Sequence, residues 1–265
     1  MDALAQFKQV QKEGWRNFAP LEAITTPAAA RLVQFAGISK GSRVLDVGCG
    51  TGVVAITAAR RGAHVDAVDL TPQLLERARE NALIARVEIE FLEADVEELP
   101  FPEAGFDTVV SQFAHMFAPR PEVAVSEMLR VLRPGGTIAF STWPPELLVG
   151  RTMTVSSRYA PPLPPGIAPP ILWGDPQVVT QRLGRAVTDL MFDRQSILVP
   201  ALSPQHFRVH VERSAGPVTR MVQALGETQP ERLQAFRAEF EAVVAEYMEN
   251  NQVRQDYLLT RARKI

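Results

Sequence analysis

Cysteine is almost absent from this chain, which has one, Cys49, in 265 residues. A single cysteine excludes an intramolecular disulfide framework and a zinc site built from several cysteines. Long hydrophobic runs are missing as well, since none approaches the roughly 20 residues of a membrane-spanning helix. The first residues are polar and amphipathic, unlike a secretory signal. We therefore expect no membrane span and a cytoplasmic location.

Neither sign of charge is in excess, because 28 Lys and Arg face 30 Asp and Glu, for a net charge of −2. The chain thus lacks the basic footprint of proteins that bind phosphate backbones, and we expect no nucleic-acid partner. Histidine is scarce too. His206 and His210 are four apart on a predicted helix and share a face, which is also a zinc-ligand spacing. No third ligand is near them, so we expect no metal. We interpret both as surface residues; the alternative is that one of them reaches the substrate pocket.

What the chain does have is a glycine-rich turn, VLDVGCGTG at residues 44–52. An apolar run ends in three glycines at alternate positions, and a helical pattern follows at once. Glycines allow positive φ and let a ligand lie against bare backbone, while N–H groups at a helix start attract polar groups. Asp46 precedes the glycines, where its carboxylate could accept a hydrogen bond from a ligand amine. Asp69 lies about 20 residues further on, where an acid binds ribose hydroxyls in nucleotide-binding α/β folds; the alternative is a helix cap before Pro72.

Strand and helix patterns alternate with short links up to residue 143, which indicates a doubly wound parallel sheet. The composition fits one large domain, or one domain with an appended lobe. Two helices are expected before the first strand, the second starting near Thr26 with Pro27 in its first turn. Later patterns predict strands over 187–200 and 253–263 and an amphipathic helix over 230–248. The strands expected within the alternating region cover residues 43–48, 63–70, 87–92, 106–113 and 137–141.

Four strings carry a resemblance to a known family: VLDVGCGTG, EADVEELPF from Glu93, FDTVV from Phe106 and RVLRPGG from Arg130. Over roughly residues 40–143 the chain resembles the class I S-adenosylmethionine (SAM) methyltransferases, closest to the subgroup with ubiquinone- and menaquinone-biosynthesis enzymes. The resemblance implies a Rossmann-like, doubly wound seven-stranded sheet whose last strand is antiparallel. It also implies an N-terminal helical lid over 1–40 and a SAM-binding core over 41–143. Residues 144–265 would add cap helices, a Pro-rich loop and the final two strands.

The same resemblance implies SAM as cofactor and S-adenosylhomocysteine as product. The glycines would admit the methionine and ribose parts, and Leu70 would pack near adenine. Asp95 and Val96 would read the adenine edge, although Asp95 has an alternative as one surface acid among several. The expected cofactor-binding set is Asp46, Gly48, Cys49, Gly50, Gly52, Asp69, Leu70, Asp95, Val96, Ser111 and Gln112.

The acceptor would lie beyond the carboxyl ends of the strands, where ligands bind in open α/β sheets. His115 is the candidate general base, because an ordinary imidazole pKa is close to neutrality; the alternative is a residue that packs at the pocket wall. The proline-rich segment, residues 160–170, would be either a stiff flap over the pocket or a surface loop. The expected substrate contacts are Trp15, Phe18, Phe113, His115, Trp143 and Trp173.

These patterns favour a SAM-dependent methyltransferase that transfers a methyl group to a small, largely apolar molecule by in-line displacement. Two alternatives stay open: transfer to a tRNA or a protein, and a catalytically inactive SAM-binding interaction subunit. The G-x-G-x-G spacing disfavours a nicotinamide-dependent oxidoreductase. The acceptor atom is open, and the C-terminal helices leave room for a homodimer.

Overall fold

Alternating apolar strands and amphipathic helices build one central sheet in the computed structural model, which describes residues 3–265. Five strands come from the alternating region and three from the C-terminal third. They are β1 (Arg43–Val47), β2 (His64–Asp69), β3 (Glu90–Glu93), β4 (Phe106–Gln112), β5 (Leu132–Thr142), β6 (Val187–Pro200), β7 (Met248–Glu249) and β8 (Gln252–Lys264).

The sheet order is β3-β2-β1-β4-β5-β8-β6, with β7 pairing β8 outside this path. Strands β1 to β5 are parallel, and β8 is antiparallel to both β5 and β6. The predicted doubly wound fold with an antiparallel last strand is confirmed. The sheet has an eighth strand, however, because Asn250 and Asn251 adopt φ of 50° and 58° and fold β7 back onto β8. Two successive residues with positive φ are typical of a tight hairpin turn.

Ten helices surround the sheet in the part of the chain that the structure describes, and four short 3₁₀ turns lie between elements. They are α1 (Ala3–Trp15), α2 (Glu22–Phe35), α3 (Val53–Ala59), α4 (Pro72–Ala85), α5 (Pro121–Val131), α6 (Leu148–Tyr159), α7 (Pro176–Leu183), α8 (Pro204–Ser214), α9 (Gly216–Thr228) and α10 (Pro230–Ala245).

Four predicted boundaries were wrong. Strand β5 begins at Leu132 rather than at residue 137, because the segment expected as a turn continues the strand and Leu132 pairs with Phe106. Helix α2 begins at Glu22 and carries Pro27 inside it, because the 3₁₀ turn Ala19–Leu21 runs directly into the helix. Strand β3 covers only residues 90–93, the part that pairs with β2. Helix α10 stops at Ala245, before the β7 hairpin.

The core lies between the sheet and its helices, and the site lies above the carboxyl ends of the parallel strands. Val44, Leu45 and Val47 of β1 are buried. Helix α2 packs across the sheet and against α3, while α8, α9 and α10 pack on one another as the cap helices. Helix α1 crosses α9 so closely that a Cβ on Gly216 would lie 2.4 Å from the backbone of Gly14. Within residues 3–265, no helix combines the length and apolarity needed to cross a bilayer.

Candidate functional site

The turn after β1 is shaped by three glycines that all adopt positive φ, at residues 48, 50 and 52. A Cβ on Gly48 would lie 2.3 Å from the Cβ of Ala114, so only glycine lets this turn approach the loop that follows β4. A Cβ on Gly50 would have no neighbour closer than 4.0 Å, so its bare backbone faces open space. The turn therefore forms a cradle against which a ligand can lie.

Asp46 lies under this cradle and is completely buried. Its Oδ2 accepts a hydrogen bond of 3.0 Å from the Ala55 backbone N–H, at the start of α3. Its Oδ1 has no hydrogen-bond partner among the described residues. Burial raises the pKa of Asp46 to about 7, and nearby Asp69 adds to this shift. The orphaned oxygen fits a ligand ammonium, which would supply the missing hydrogen bond and charge.

Asp69 ends β2 and holds two loops together. Its Oδ2 accepts from the Gly50 N–H and its Oδ1 from the Thr71 N–H, both at 2.8 Å. Burial raises the pKa of this carboxyl, although the backbone hydrogen bonds oppose the shift. Each carboxylate oxygen can still accept a second hydrogen bond, so ribose hydroxyls remain compatible with this geometry.

Asp95 lies on the same cavity, under the N-terminal helix. Lys8 of α1 contacts Asp95 Oδ2 and Glu97 Oε2, each at 2.6 Å. Burial alone would lower the pKa of Lys8, but the hydrogen bonds from the two acids raise it overall. Lys12 makes a further ion pair with Glu93. Helix α1 is thus fastened to the loop that is expected to read adenine.

One cavity of about 740 Å³ joins the glycine cradle to the cap helices. Most of the expected site residues line its wall. For the cofactor these are Asp46, Gly48, Cys49, Gly50, Asp69, Leu70, Asp95, Val96 and Gln112; for the acceptor they are Trp15, Phe18, Phe113, His115 and Trp143.

Three expected site residues do not reach the cavity wall. Gly52 starts α3 and faces Ala78 instead. Ser111 is fully buried, and its hydroxyl donates to the Val47 carbonyl and accepts from the His115 N–H. Trp173 is buried behind His115, with the Arg182 guanidinium 4.5 Å from its ring centre.

His115 is packed between aromatic rings. Its ring centre lies 4.4 Å from that of Phe140 and 4.6 Å from that of Trp173. Both imidazole nitrogens are buried and have no partner among the described residues. Burial, with a contribution from Arg182, lowers its pKa to about 3. The ring is therefore neutral, and an imidazole packed between two aromatic rings with so low a pKa is a weak base, which argues against His115 as the general base.

Phe113, directly after β4, and Trp143, directly after β5, form a stacked aromatic pair, here called the Phe113–Trp143 platform. Phe113 stacks on Trp143 with ring centres 3.9 Å apart and planes at 10°, and Tyr257 packs edge-on behind it. Phe113 adopts φ of 56°, a conformation that is rare outside glycine and is concentrated at functional sites. Both rings of this stacked pair line the cavity.

His210 and Gln255 are among the cavity residues that were not in the expected site sets. His210 lines the wall and its Nε2 is buried without a partner among the described residues, so the alternative that one of the two histidines reaches the pocket holds for His210. Gln255 lies on the buried face of β8 with Val253 and Tyr257, and it also lines the wall. A lone amide on an otherwise apolar strand face was the signal for Gln255. Residues of the proline-rich segment also line the cavity, which both alternatives for this segment allow. Among residues 3–265, no cluster of metal-ligating side chains occurs.

Comparisons with known proteins show what this chain is similar to. A methyltransferase-domain family matches residues 45–140. An uncharacterized protein of Mycobacterium tuberculosis is 36% identical over 244 residues, which are 92% of this chain and 89% of that protein. The ubiquinone biosynthesis O-methyltransferase of Cronobacter sakazakii is 33% identical over 146 residues, which are 54% of this chain and 60% of that enzyme.

A solved structure is similar as well. A Bacillus halodurans protein, described only provisionally as a methyltransferase, matches with a TM-score of 0.60 and 21% identity. The match covers 89% of this chain and 98% of that one. At this level of identity the match shows the fold alone.

Proposed function

Because this chain belongs to the class I SAM-dependent methyltransferases, we propose that it transfers the methyl group of SAM to a small, largely apolar acceptor. The observation that carries the proposal is the cavity of about 740 Å³, which runs from the glycine cradle to an apolar roof. One end offers carboxylates and bare backbone. The other end offers aromatic, proline and aliphatic side chains.

The residues at the cradle fit SAM. We infer that Asp46 Oδ1 holds the ammonium group, Asp69 the ribose hydroxyls, and Asp95 with the Val96 N–H the adenine edge. The unpartnered Asp46 oxygen supports the first assignment, because a buried acceptor without a partner costs free energy until a ligand supplies one. When bound, SAM would supply an activated methyl group: the acceptor's nucleophilic atom would bond to the methyl carbon as the carbon–sulfur bond breaks, and S-adenosylhomocysteine would leave.

The chain's own contribution is positioning and exclusion of water. The stacked rings of Phe113 and Trp143 line the cavity at the ends of β4 and β5, where the acceptor would lie. Helix α1, fastened through Lys8 and Lys12, and the proline-rich segment, residues 160–170, would cover the reacting groups. In this proposal the acceptor is ionised or loses its proton to a group other than His115.

Two features favour a small molecule over a tRNA or a protein. The net charge of −2 gives no attraction for a phosphate backbone. The Phe113–Trp143 platform also lies within a cavity that α1 and the cap helices cover. A macromolecular acceptor would have to displace α1 to reach it.

The test is transfer of a labelled methyl group from SAM. Wild type and Asp69→Asn would be incubated with aromatic alcohols, thiols and amines, and separately with bulk tRNA and with unfolded protein. We expect label in the small molecules and loss of label with Asp69→Asn. Label in tRNA or protein alone would overturn the proposal, and SAM binding without transfer to any class would indicate an inactive SAM-binding subunit.

A further inference from the structure

The wall of the cavity beneath the cap helices is apolar, and most of its polar side chains already have partners. The hydroxyls of Thr152, Thr154 and Ser156 donate to carbonyls of their own helix, α6. Gln11 donates to the Phe117 carbonyl, and Arg220 donates to the Val10 carbonyl. These groups hold the roof together.

Two polar side chains on this wall differ. His210 and Gln255 make no side-chain hydrogen bond with any residue in the described part of the chain, yet both line the cavity. The Nε2 atom of His210 is buried outright. A polar group left in an apolar wall is unfavourable unless a ligand completes its hydrogen bond.

The positions of the two residues bring them to the same end of the sheet. Gln255 pairs in register with Ile197, three residues before β6 ends at Pro200. Helix α8 starts four residues after that end, and it presents Phe207, His210 and Val211 to the cavity. Gln255 also shares its strand face with Tyr257, which packs against the Phe113–Trp143 platform.

A neutral imidazole suits hydrogen bonding to an uncharged group. Burial, with His206 one turn away, lowers the pKa of His210. The neutral ring has one donor nitrogen and one acceptor nitrogen, and a hydroxyl can pair with either. The stacked platform meanwhile favours a flat ring, since aromatic faces bind other aromatic rings in offset or edge-on contact.

We propose that the acceptor is a planar aromatic molecule bearing a hydroxyl group, with the ring on the Phe113–Trp143 platform and the hydroxyl bonded to His210, with Gln255 as a second partner. This inference rests on the proposed function and names its substrate class. The 33% identity to an O-methyltransferase over 146 residues supports an oxygen-bearing acceptor. His210 and Gln255 are specificity-determining residues in this account.

The test compares two ligands of nearly the same shape, 2-naphthol and 2-methylnaphthalene, by equilibrium dialysis without SAM. We expect the wild type to bind the naphthol about 10-fold more tightly, the size of one good hydrogen bond. His210→Leu should bind both ligands equally, while His210→Gln should restore part of the preference. His206→Leu is the matched control, because His206 lies outside the cavity wall and bonds the Leu202 N–H; it should keep the full preference.

Either of two results would overturn the inference: a wild type that binds neither ligand or both equally, or a preference that survives in His210→Leu. S-Adenosylhomocysteine affinity, measured in parallel, separates this failure from failure of the proposed function. If S-adenosylhomocysteine still binds but naphthol is not preferred, only the proposed substrate class is wrong. If naphthol is preferred but no methyl group is transferred, only the proposed activity is wrong.

Discussion

Asp46 is a residue whose burial destabilises the unliganded protein and favours the binding of a cationic ligand. The carboxylate is fully buried and has one hydrogen bond, from Ala55. Such a group is unfavourable in the unliganded protein, because burial penalises the charged form. The same group gains a partner when a cationic ligand arrives. The unfavourable burial of the Asp46 carboxylate in the unliganded protein therefore marks a ligand-binding site.

Asp46→Asn should stabilise the unliganded protein in a pH-dependent way. The pKa of Asp46 is raised to about 7 from the ordinary 3.8, so wild-type stability is fully present at low pH and falls as the pH rises through this range. The variant's advantage in free energy of unfolding should be about 4 kcal/mol at pH 8 and about 2 kcal/mol at pH 5. Urea denaturation at both pH values measures it, with the exposed Asp193→Asn as control. An advantage that does not change with pH would contradict this interpretation of Asp46.

His115→Phe separates packing from catalysis at the other end of the cavity. Both imidazole nitrogens are buried between Phe140 and Trp173, so a phenyl ring should occupy the space. We expect turnover within about threefold of wild type and unchanged S-adenosylhomocysteine affinity. A general base contributes roughly 10²–10⁴-fold. A loss of that size with full cofactor affinity would show that His115 takes the proton after all.

At the scale of elements, the position of α1 is decided by contacts far apart in the sequence. Its lysines reach Asp95, Glu97 and Glu93, and its Gly14 lies against Gly216 of α9. Helix α1 therefore connects the adenine loop with the cap helices. Opening the cavity for ligand exchange would require these contacts to break together.

Gly216→Ala should loosen α1 selectively. The added Cβ would lie 2.4 Å from the backbone of Gly14, a distance that forces the helices apart. Hydrogen exchange over residues 3–15 should accelerate about 10-fold or more, by the factor that roughly 1.4 kcal/mol of lost packing implies. Gly226→Ala on the same helix is the control, because its Cβ would meet only Leu233 at an ordinary 3.6 Å. Equal exchange rates in the two variants would contradict the crossing as the constraint on α1.

Sequence patterns predicted those elements whose signal is local. Strands β1, β2 and β4 are apolar runs bounded by glycine or acids, and their neighbours along the chain set the parallel order. Strand β7 was missed because two residues carry no periodicity and its pairing depends on the turn at Asn250–Asn251. The start of α2 was missed because a preceding 3₁₀ turn, rather than Pro27, begins it.

The site residues also divide into those that a local motif predicts and those whose position depends on packing. Asp46 and Asp69 follow from a short motif, and the structure brings both to the cavity. Ser111 and Trp173 were expected there because the sequence gives their strand or loop but not the direction of the side chain. His210 could not be assigned, since its burial depends on how α8 packs over the end of β6.

At the scale of the whole molecule, one edge of the sheet is open. Strand β6 ends the sheet order and leaves Met191, Phe192 and Leu198 between 36% and 54% exposed. An edge strand with unpaired backbone groups and apolar side chains is a template for pairing with another chain. This edge supports the expectation of a homodimer.

Light scattering tests the dimer directly. We predict a mass of about twice the 29.2 kDa of the chain, and dissociation in Phe192→Lys, because a charge on the edge opposes pairing. Leu83→Lys, an exposed apolar site on α4, is the matched control and should leave the mass unchanged. A wild-type mass of 29.2 kDa at all concentrations tested would contradict the prediction.

The central claim is that the cavity binds SAM through Asp69 beneath the glycine turn. The most direct measurement is calorimetric titration of S-adenosylhomocysteine into wild type, Asp69→Asn and the control Asp66→Asn, which lies on the same strand but outside the cavity wall. We predict micromolar binding by wild type and the control, and at least about 30-fold weaker binding by Asp69→Asn, since hydrogen bonds to a charged group contribute about 1.5–3 kcal/mol. Equal affinity in Asp69→Asn, in a protein that folds normally by circular dichroism, would contradict the account.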